Sequence, residues 1–181
     1  MSTMVVYASA TGNTKKVASA IFAAIPDSEK DMQDILQWDH RSAADTFFVG
    51  FWNNRGSCPL EIINLLSELH GRRIALFGTC GLGRDAAYYR SIEQNVKVWI
   101  PDDNEYLGCF LCQGKMPMSV RSRYESMRTD QTASRIDHMV HNFDEALLHP
   151  DETDLANARA FVKKVLAEHP AEEFAARTDS R

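Results

Sequence analysis

Short apolar runs of strand length recur along the chain and are separated by longer amphipathic stretches. Three of these runs are almost wholly apolar, which predicts strands buried on both faces of a sheet. The run at residues 31–36 is weaker and predicts an outer strand. In chain order, the predicted strands lie at residues 4–8, 31–36, 46–51, 73–78 and 106–113.

Helical periodicity occupies the segments between these strands. Residues 17–25 carry one apolar stripe, and Pro59 fits the first turn of a second helix because its missing N–H costs nothing there. Further helices are predicted at residues 86–99 and 155–166. Strands that alternate with helices imply a parallel sheet covered on both faces, so we predict a doubly wound five-stranded α/β fold.

The length of 181 residues corresponds to one domain. We expect the α/β domain to span residues 1–168 and a polar tail to follow at residues 169–181. Residues 115–148 form a long insertion before the last helix, and one or two short helices are predicted within it.

Composition excludes several classes of protein. The formal charge of −5, from 20 basic and 25 acidic residues, provides no overall basic field for nucleic acid. No apolar run approaches the roughly 20 residues that cross a bilayer, and the start of the chain lacks a secretory pattern. Four cysteines are too few for a disulfide scaffold. We expect a cytoplasmic protein with reduced thiols and with no nucleic acid or membrane partner.

The turn after the first strand carries candidate chemistry. It consists of Ser9, Ala10, Thr11, Gly12, Asn13 and Thr14. Its three hydroxyls, its glycine and the N–H groups of the helix that follows suit a phosphate monoester. An ordinary capped turn explains one or two hydroxyls but not three around a glycine. The turn lacks the lysine of a P-loop and the three glycines of a dinucleotide site.

This turn resembles the Thr/Ser-x-Thr-Gly-Asn-Thr phosphate loop of flavodoxins, which also ends a first strand. The resemblance covers the chain to about Gln113 and the last helix. It implies strand order 2-1-3-4-5 and one non-covalently bound FMN, with the phosphate held by the turn.

The resemblance also implies that the loop after strand three binds the isoalloxazine ring. Trp52 offers a flat face for stacking, although it can instead pack in the core. Asn53, Asn54, Arg55 and Gly56 follow, and the asparagines and glycine tolerate positive φ. In flavodoxins a peptide of this loop flips on one-electron reduction; such a flip and a plain turn remain equally open here.

Thr79, Cys80 and Gly81, after strand four, are expected to hold the pyrimidine edge of the flavin. Contact with the ring edge and a structural role both remain open for Cys80. Flavodoxins are typically acidic around the flavin, whereas this chain has Arg55 and Arg84 in or beside these loops. We therefore hypothesise that the fully reduced flavin is less destabilised than in a typical low-potential carrier.

Cys109 and Cys112 have C-x-x-C spacing but lie in an apolar strand, where residues three apart point to opposite faces. We interpret them as packing thiols. His138 and His141 have no accompanying ligand set, so no metal site is expected. No catalytic residue is predicted.

Two further blocks, residues 110–115 and 149–158, resemble the BilS-type subgroup of small stand-alone flavodoxins of anaerobic bacteria. Some members of this subgroup lie beside flavin-dependent bilirubin reductases. Gln113 or Lys115 is a candidate for contact with the rim of the flavin. The methionine-rich insertion is interpreted as packing over the sheet edge, with a charge-steered docking patch as the alternative.

The resemblance implies a monomeric FMN-binding protein that transfers single electrons between redox partner proteins, a flavin-dependent reductase being one candidate partner. The alternative is an FMN-dependent NAD(P)H oxidoreductase acting on a quinone or a similar acceptor. A second alternative is a binding module that has lost the flavin.

Overall fold

Five parallel strands form the centre of the protein. The computed structural model describes residues 2–26, 29–38, 43–83 and 85–170. The strands are β1 (Thr3–Tyr7), β2 (Lys30–Asp34), β3 (Thr46–Trp52), β4 (Arg73–Cys80) and β5 (Glu105–Gln113). The helices are α1 (Asn13–Ala24), α2 (Leu60–Glu68), α3 (Ala86–Lys97), α4 (Met118–Ser126), α5 (Ala133–Ala146) and α6 (Glu152–Glu168).

The strand order is β2-β1-β3-β4-β5, which confirms the predicted topology. Val5 of β1 pairs with Met32 of β2 on one side and with Phe48 of β3 on the other. Because all the strands run in one direction, their carboxyl ends meet along the same edge of the sheet. The loops that leave this edge are the predicted phosphate and flavin loops.

Two apolar cores cover the two faces of the sheet. Val6, Val49 and Leu76 face the core beneath α2 and α3, whereas Val5 and Phe48 face the core beneath α1 and α6. The alternation follows from the two-residue period of a strand. It also explains why the three central strands are apolar at almost every position.

The ends of several elements differ from the sequence prediction. β2 ends at Asp34 rather than at residue 36, because the Asp34 carboxylate accepts a hydrogen bond from Leu36 N and begins a 3₁₀ turn. Helix α6 begins at Glu152, three residues earlier than predicted. Asp151 and Asp154 form a capping box there, with both hydrogen bonds at 2.9 Å.

The insertion contains two helices, α4 and α5. This agrees with the prediction, although α5 has 14 residues and is not short. No helix in the described part of the chain combines the length and the apolar character that a membrane crossing requires. Residues 171–181 of the predicted tail lie outside the described residues.

Arg73 organises the edge of the sheet opposite the flavin loops. Its side chain is 2% exposed, and its Nε lies 3.7 Å from the Glu105 carboxylate at the start of β5. The guanidinium also donates to Thr46 Oγ1 at 3.3 Å and to the His169 carbonyl. Arg73 therefore joins three neighbouring strands to the end of α6.

Candidate functional site

A cavity of about 540 Å³ lies at the carboxyl edge of the sheet, between the loops that follow β1, β3, β4 and β5. This is where open α/β sheets bind ligands. Of the predicted site residues, Ala10, Thr11, Asn13, Trp52, Asn53, Arg55, Thr79, Cys80 and Gly81 line it. The lining does not include Ser9, Gly12, Thr14, Asn54 or Gly56.

The turn after β1 presents backbone donors to one end of the cavity. Gly12 has a φ of 84° and is the N-cap of α1, with no side-chain cap. No described residue accepts a hydrogen bond from the backbone N–H groups of residues 11–14. A left-handed residue followed by a helix makes a concave set of N–H groups that binds anions.

The three hydroxyls of this turn have different roles. Ser9 Oγ accepts a hydrogen bond from Lys15 N at 3.2 Å. Thr14 is buried, and its Oγ1 lies 3.1 Å from Thr79 Oγ1. Thr11 is exposed at the cavity, and its Oγ1 accepts a hydrogen bond from Asn13 Nδ2 at 2.8 Å. Thr11 therefore retains a hydroxyl proton for a ligand, whereas Ser9 and Thr14 stabilise the turn.

Asn13 fixes the turn to the opposite wall of the cavity. Besides its bond to Thr11, Asn13 Nδ2 donates to the Lys115 carbonyl at 2.9 Å. A Cβ added to Gly114 would lie 2.9 Å from the Asn13 amide, so glycine is required for this approach. The loops after β1 and β5 are therefore held together by one buried asparagine.

The loop after β3 forms a tight hairpin turn. Asn54 and Ser57 exchange two backbone hydrogen bonds of 2.8 and 3.1 Å. The central residues Arg55 and Gly56 have φ values of 54° and 93°, which is the geometry of a type I′ turn. Of the three residues expected to tolerate positive φ, Asn53, Asn54 and Gly56, only Gly56 adopts it, together with Arg55.

Aromatic side chains form the floor beside this turn. Trp52 is half-buried; it packs against the core beneath α2 and α3 and also lines the cavity. Asn53 Nδ2 donates to Tyr88 Oη at 2.8 Å. Burial raises the pKa of Tyr88. Tyr88 of α3 packs against the core and also lines the cavity. The sequence did not indicate its place in the lining.

The loop after β4 is held by amide side chains from two other elements. The Gly81 carbonyl accepts hydrogen bonds from Gln113 Nε2 at 3.1 Å and from Asn142 Nδ2 at 3.0 Å. Gln113 is buried and lies beneath the loop rather than in the cavity lining. Of the two candidates for contact with the flavin rim, Lys115 faces the cavity and Gln113 positions the loop.

Cys80 has a structural hydrogen bond although it borders the cavity. Its Sγ donates to the Leu82 carbonyl at 3.0 Å. Burial raises the pKa of this thiol to about 12, so it is protonated at neutral pH. Cys80 is therefore not a nucleophile in the resting protein.

The start of the insertion forms the remaining wall of the cavity. Met116, Pro117, Val120 and Tyr124 all line it, the last two from one face of α4. A Cβ added to Gly81 would lie 2.4 Å from Met116 Sδ. The spacing of Val120 and Tyr124, four residues apart, indicated in the sequence that they share one face of a helix. Spacing alone does not show which part of the protein that face covers.

The charged residues of the cavity lining all have the same sign. Arg55 and Lys115 are cationic, and no carboxylate or histidine is among the described lining residues. Arg84, the second arginine of the sequence hypothesis, lies outside the described residues.

None of the remaining cysteine and histidine candidates, Cys109, Cys112, His138 and His141, is among the described lining residues, and both histidines are exposed on α5. Cys109 packs in the core beneath α2 and α3, and Cys112 in the core beneath α1 and α6, as the strand period predicted. Burial raises the pKa of both thiols. His149 is buried, with Nδ1 2.5 Å from Asp154 Oδ2, and supports the cap of α6.

Comparison with known proteins connects this architecture to a family. The model of the flavodoxin domain matches residues 4–163. A flavodoxin-like domain-containing protein, BilS, of Clostridioides difficile (strain CD3) is 35% identical over 172 residues, covering 92% of this chain and 97% of that protein. BilS of Clostridium symbiosum (strain WAL-14163) is 33% identical over 177 residues, covering 87% of this chain and 92% of that protein.

Solved structures agree in fold. A flavodoxin of Streptococcus pneumoniae TIGR4 superposes with a TM-score of 0.59 at 16% identity, covering 93% of this chain and 100% of that one. Oxidised flavodoxin 2 of Bacillus cereus gives 0.54, also at 16% identity, with the same coverage. The matched domain spans nearly the whole chain, and the two relatives are 35% and 33% identical to it over the aligned residues. The chain therefore belongs to the flavodoxin domain family and is similar to BilS proteins of clostridia.

Proposed function

We propose that this protein binds one FMN non-covalently and carries single electrons between redox partner proteins. The observation that carries the proposal is the cavity at the carboxyl edge of the sheet. It has free backbone N–H groups at one end and flat aromatic side chains at the other. These two features correspond to the phosphate and the ring of FMN.

The fit to a phosphate is supported by the donor set of the first turn. The N–H groups of Thr11, Gly12, Asn13 and Thr14 converge at the positive end of α1. The Thr11 hydroxyl adds a donor at the cavity surface. In this proposal Ser9, Ala10 and Thr14 shape the turn rather than contact the phosphate through their side chains.

The fit to the ring is supported by two walls. Trp52 offers one aromatic face and Tyr124 of α4 offers another, and both border the cavity. Asn53 and the turn at residues 54–57 flank one side of it. Thr79, Cys80 and Gly81 present backbone groups where the pyrimidine edge is expected, and Gln113 and Asn142 hold that loop in place.

FMN, when bound, supplies the one-electron chemistry. The chain binds, orients and shields it, and sets its electrostatic surroundings. No described lining residue is an aspartate, glutamate or histidine that could serve as a general acid or base.

The relatives add support of a general kind. The structural neighbours from Streptococcus pneumoniae and Bacillus cereus are described as flavodoxins. The clostridial relatives are described as flavodoxin-like. Membership of this family favours redox proteins as partners.

The first test compares the affinities of the protein for FMN and for riboflavin, with binding measured by flavin fluorescence. We expect FMN to bind at least about 100-fold more tightly, because its phosphate gains two or more charge-assisted hydrogen bonds. Thr11→Val should lower FMN affinity, and Ser19→Ala, which alters an exposed hydroxyl of α1, should not. Equal affinity for the two flavins would contradict the phosphate assignment.

The second test separates a carrier from a reductase. An anaerobic potentiometric titration of the FMN-loaded protein should resolve two one-electron potentials. A single two-electron step, together with steady oxidation of NAD(P)H by the purified protein alone, would favour the NAD(P)H oxidoreductase instead.

A further inference from the structure

We propose that the rim of the cavity is a docking surface for the acidic face of a redox partner protein. The surface, called the mouth patch below, consists of Arg55, Leu82, Lys115, Met118 and Arg123. The inference rests on the proposed electron-carrier function and adds to it the charge and the contact chemistry of the partner.

The charge of the mouth patch opposes that of the whole protein. The chain carries a formal charge of −5. Yet both charged residues in the described cavity lining, Arg55 and Lys115, are cationic and exposed. The charged residues of the described lining are therefore positive on a molecule that is negative overall. Such an asymmetry orients an approaching acidic surface toward the mouth.

The segment from Lys115 to Arg123 strengthens this local charge, since it holds three cations and no carboxylate. Arg121 is compensated by Glu125 and Asp144. Arg123 is exposed, and neither it nor Lys115 forms an ion pair with a carboxylate among the described residues. Lys115 of the lining and Arg123, which precedes the lining residue Tyr124 in α4, thus remain available to a partner.

Several carboxylates at the carboxyl edge of the sheet lie at the starts of helical segments. Asp34 accepts a hydrogen bond from Leu36 N at 3.0 Å, and Asp85 accepts one from Ala87 N at 2.8 Å. Glu61 lies in the first turn of α2, where the helix N-terminus offsets its charge. Asp34 and Asp85 thus bind backbone N–H groups and, among the described residues, form no ion pair with a cation of the mouth patch.

Apolar side chains lie beside the cations. Leu82 is 46% exposed and Met118 is 60% exposed, one following β4 and the other beginning α4. Leu60, 66% exposed, follows β3 at the same edge. Exposed apolar residues bordered by charge are typical of a protein–protein contact, in which the apolar centre loses water and the rim sets orientation.

The partner that fits has a complementary face, with carboxylates around an apolar centre. Its own redox cofactor would lie close to that face, because the cavity is the site from which electrons leave. Rim charges act mainly on the rate of association and are screened by salt. A weak, fast and salt-sensitive complex is the expected result.

The test uses two haem proteins of opposite charge as probes, the acidic cytochrome b5 and the basic cytochrome c. FMN-loaded protein is reduced anaerobically and mixed with each at low salt and at about 1 M salt, where the Debye length is about 3 Å. We expect the rate constant with cytochrome b5 to fall about tenfold or more at high salt. The rate constant with cytochrome c should rise or stay constant.

Two variants locate the effect. Arg123→Glu reverses a charge of the mouth patch at a residue outside the cavity lining. Lys163→Glu makes the same change in net charge at an exposed position of α6. At low salt, Arg123→Glu should slow reduction of cytochrome b5 about tenfold, and Lys163→Glu should change it less than about twofold. At high salt the two variants should react alike.

A second measurement does not depend on electron transfer. Adding oxidised cytochrome b5 to the oxidised, nitrogen-15-labelled holoprotein should shift the amide resonances of Leu82, Lys115 and Met118, and less so in Arg123→Glu. A rate constant with cytochrome b5 that does not fall at high salt, or equal effects of the two variants, would overturn the docking surface and leave the carrier function intact. Failure of the loaded protein to reduce either probe would overturn the carrier function and this inference with it.

Discussion

The hydroxyl oxygens of Thr14 and Thr79 lie 3.1 Å apart in the buried interface between the first turn of α1 and the end of β4. This hydrogen bond joins the loop proposed to hold the phosphate to the loop proposed to hold the pyrimidine edge. The two ends of the flavin site are therefore coupled through the core of the protein. Changes at one loop should be felt at the other.

Replacing either threonine by valine should destabilise the protein by about 1–3 kcal/mol, because the remaining hydroxyl is buried without a partner. The double variant Thr14→Val/Thr79→Val should cost less than the sum of the single variants, since neither hydroxyl is then left alone. Urea unfolding measures both quantities. Additive effects in the double-mutant cycle would show that the hydroxyls do not interact.

Asn142→Ala should weaken FMN binding by about tenfold, because the Gly81 carbonyl loses one of its two amide donors and the loop after β4 becomes less ordered. Gln113→Ala should have a similar or larger effect, since its side chain is buried. Isothermal titration of the apoprotein gives the affinities. His141→Ala, at an exposed neighbouring position of α5, is the matched control.

Arg55→Ala should make the second one-electron reduction potential of bound FMN more negative, by on the order of tens of millivolts at low salt. The reason is that an exposed cation at the cavity favours the fully reduced, anionic flavin. Arginine and alanine bear a similar backbone cost at a φ of 54°, so the comparison isolates charge. An unchanged potential would mean that the guanidinium is screened by water.

Arg73→Met should destabilise the protein by about 3–5 kcal/mol, because it leaves the Glu105 carboxylate without its buried cation. The double variant Arg73→Met/Glu105→Leu should recover part of this loss. FMN affinity should not change in the refolded double variant, since the pair lies at the opposite edge of the sheet from the cavity. Chemical unfolding and FMN titration together test this separation.

Stability should fall as the pH rises above about 9, in part because of Cys80. Burial raises the pKa of this thiol from 9.0 to about 12, so the folded state retains a proton that the unfolded state loses between these values. The contribution is fully present below pH 9 and disappears toward pH 12. Its slope reaches about 1.4 kcal/mol per pH unit.

The difference in unfolding free energy between wild type and Cys80→Ala isolates this contribution from those of other groups. The lost packing of the sulfur gives a constant offset, whereas the titration gives a difference that shrinks as the pH rises. A difference that is independent of pH from 8 to about 11 would contradict the assignment to Cys80.

Much of the fold could be predicted because its signals are local. The almost wholly apolar runs that contain Val5 and Phe48, and the helical stripes, appear in any short window of sequence. The resemblance of the first turn to a flavodoxin phosphate loop then identified the topology. Two boundaries that differ from the prediction, at Asp34 and Glu152, are set by individual capping hydrogen bonds rather than by periodicity.

The sequence by itself determined the order of strands and helices, the position of the anion-binding turn and the edge of the sheet at which the site lies. Only the tertiary structure decided that Thr14 faces the core while Thr11 faces the cavity, and that Asn142 supports Gly81 from 61 residues away. It also decided that Tyr124 completes the cavity wall. Hydrophobic periodicity reports which face of an element is buried. It does not report which distant element covers that face, because this depends on how all the helices pack together.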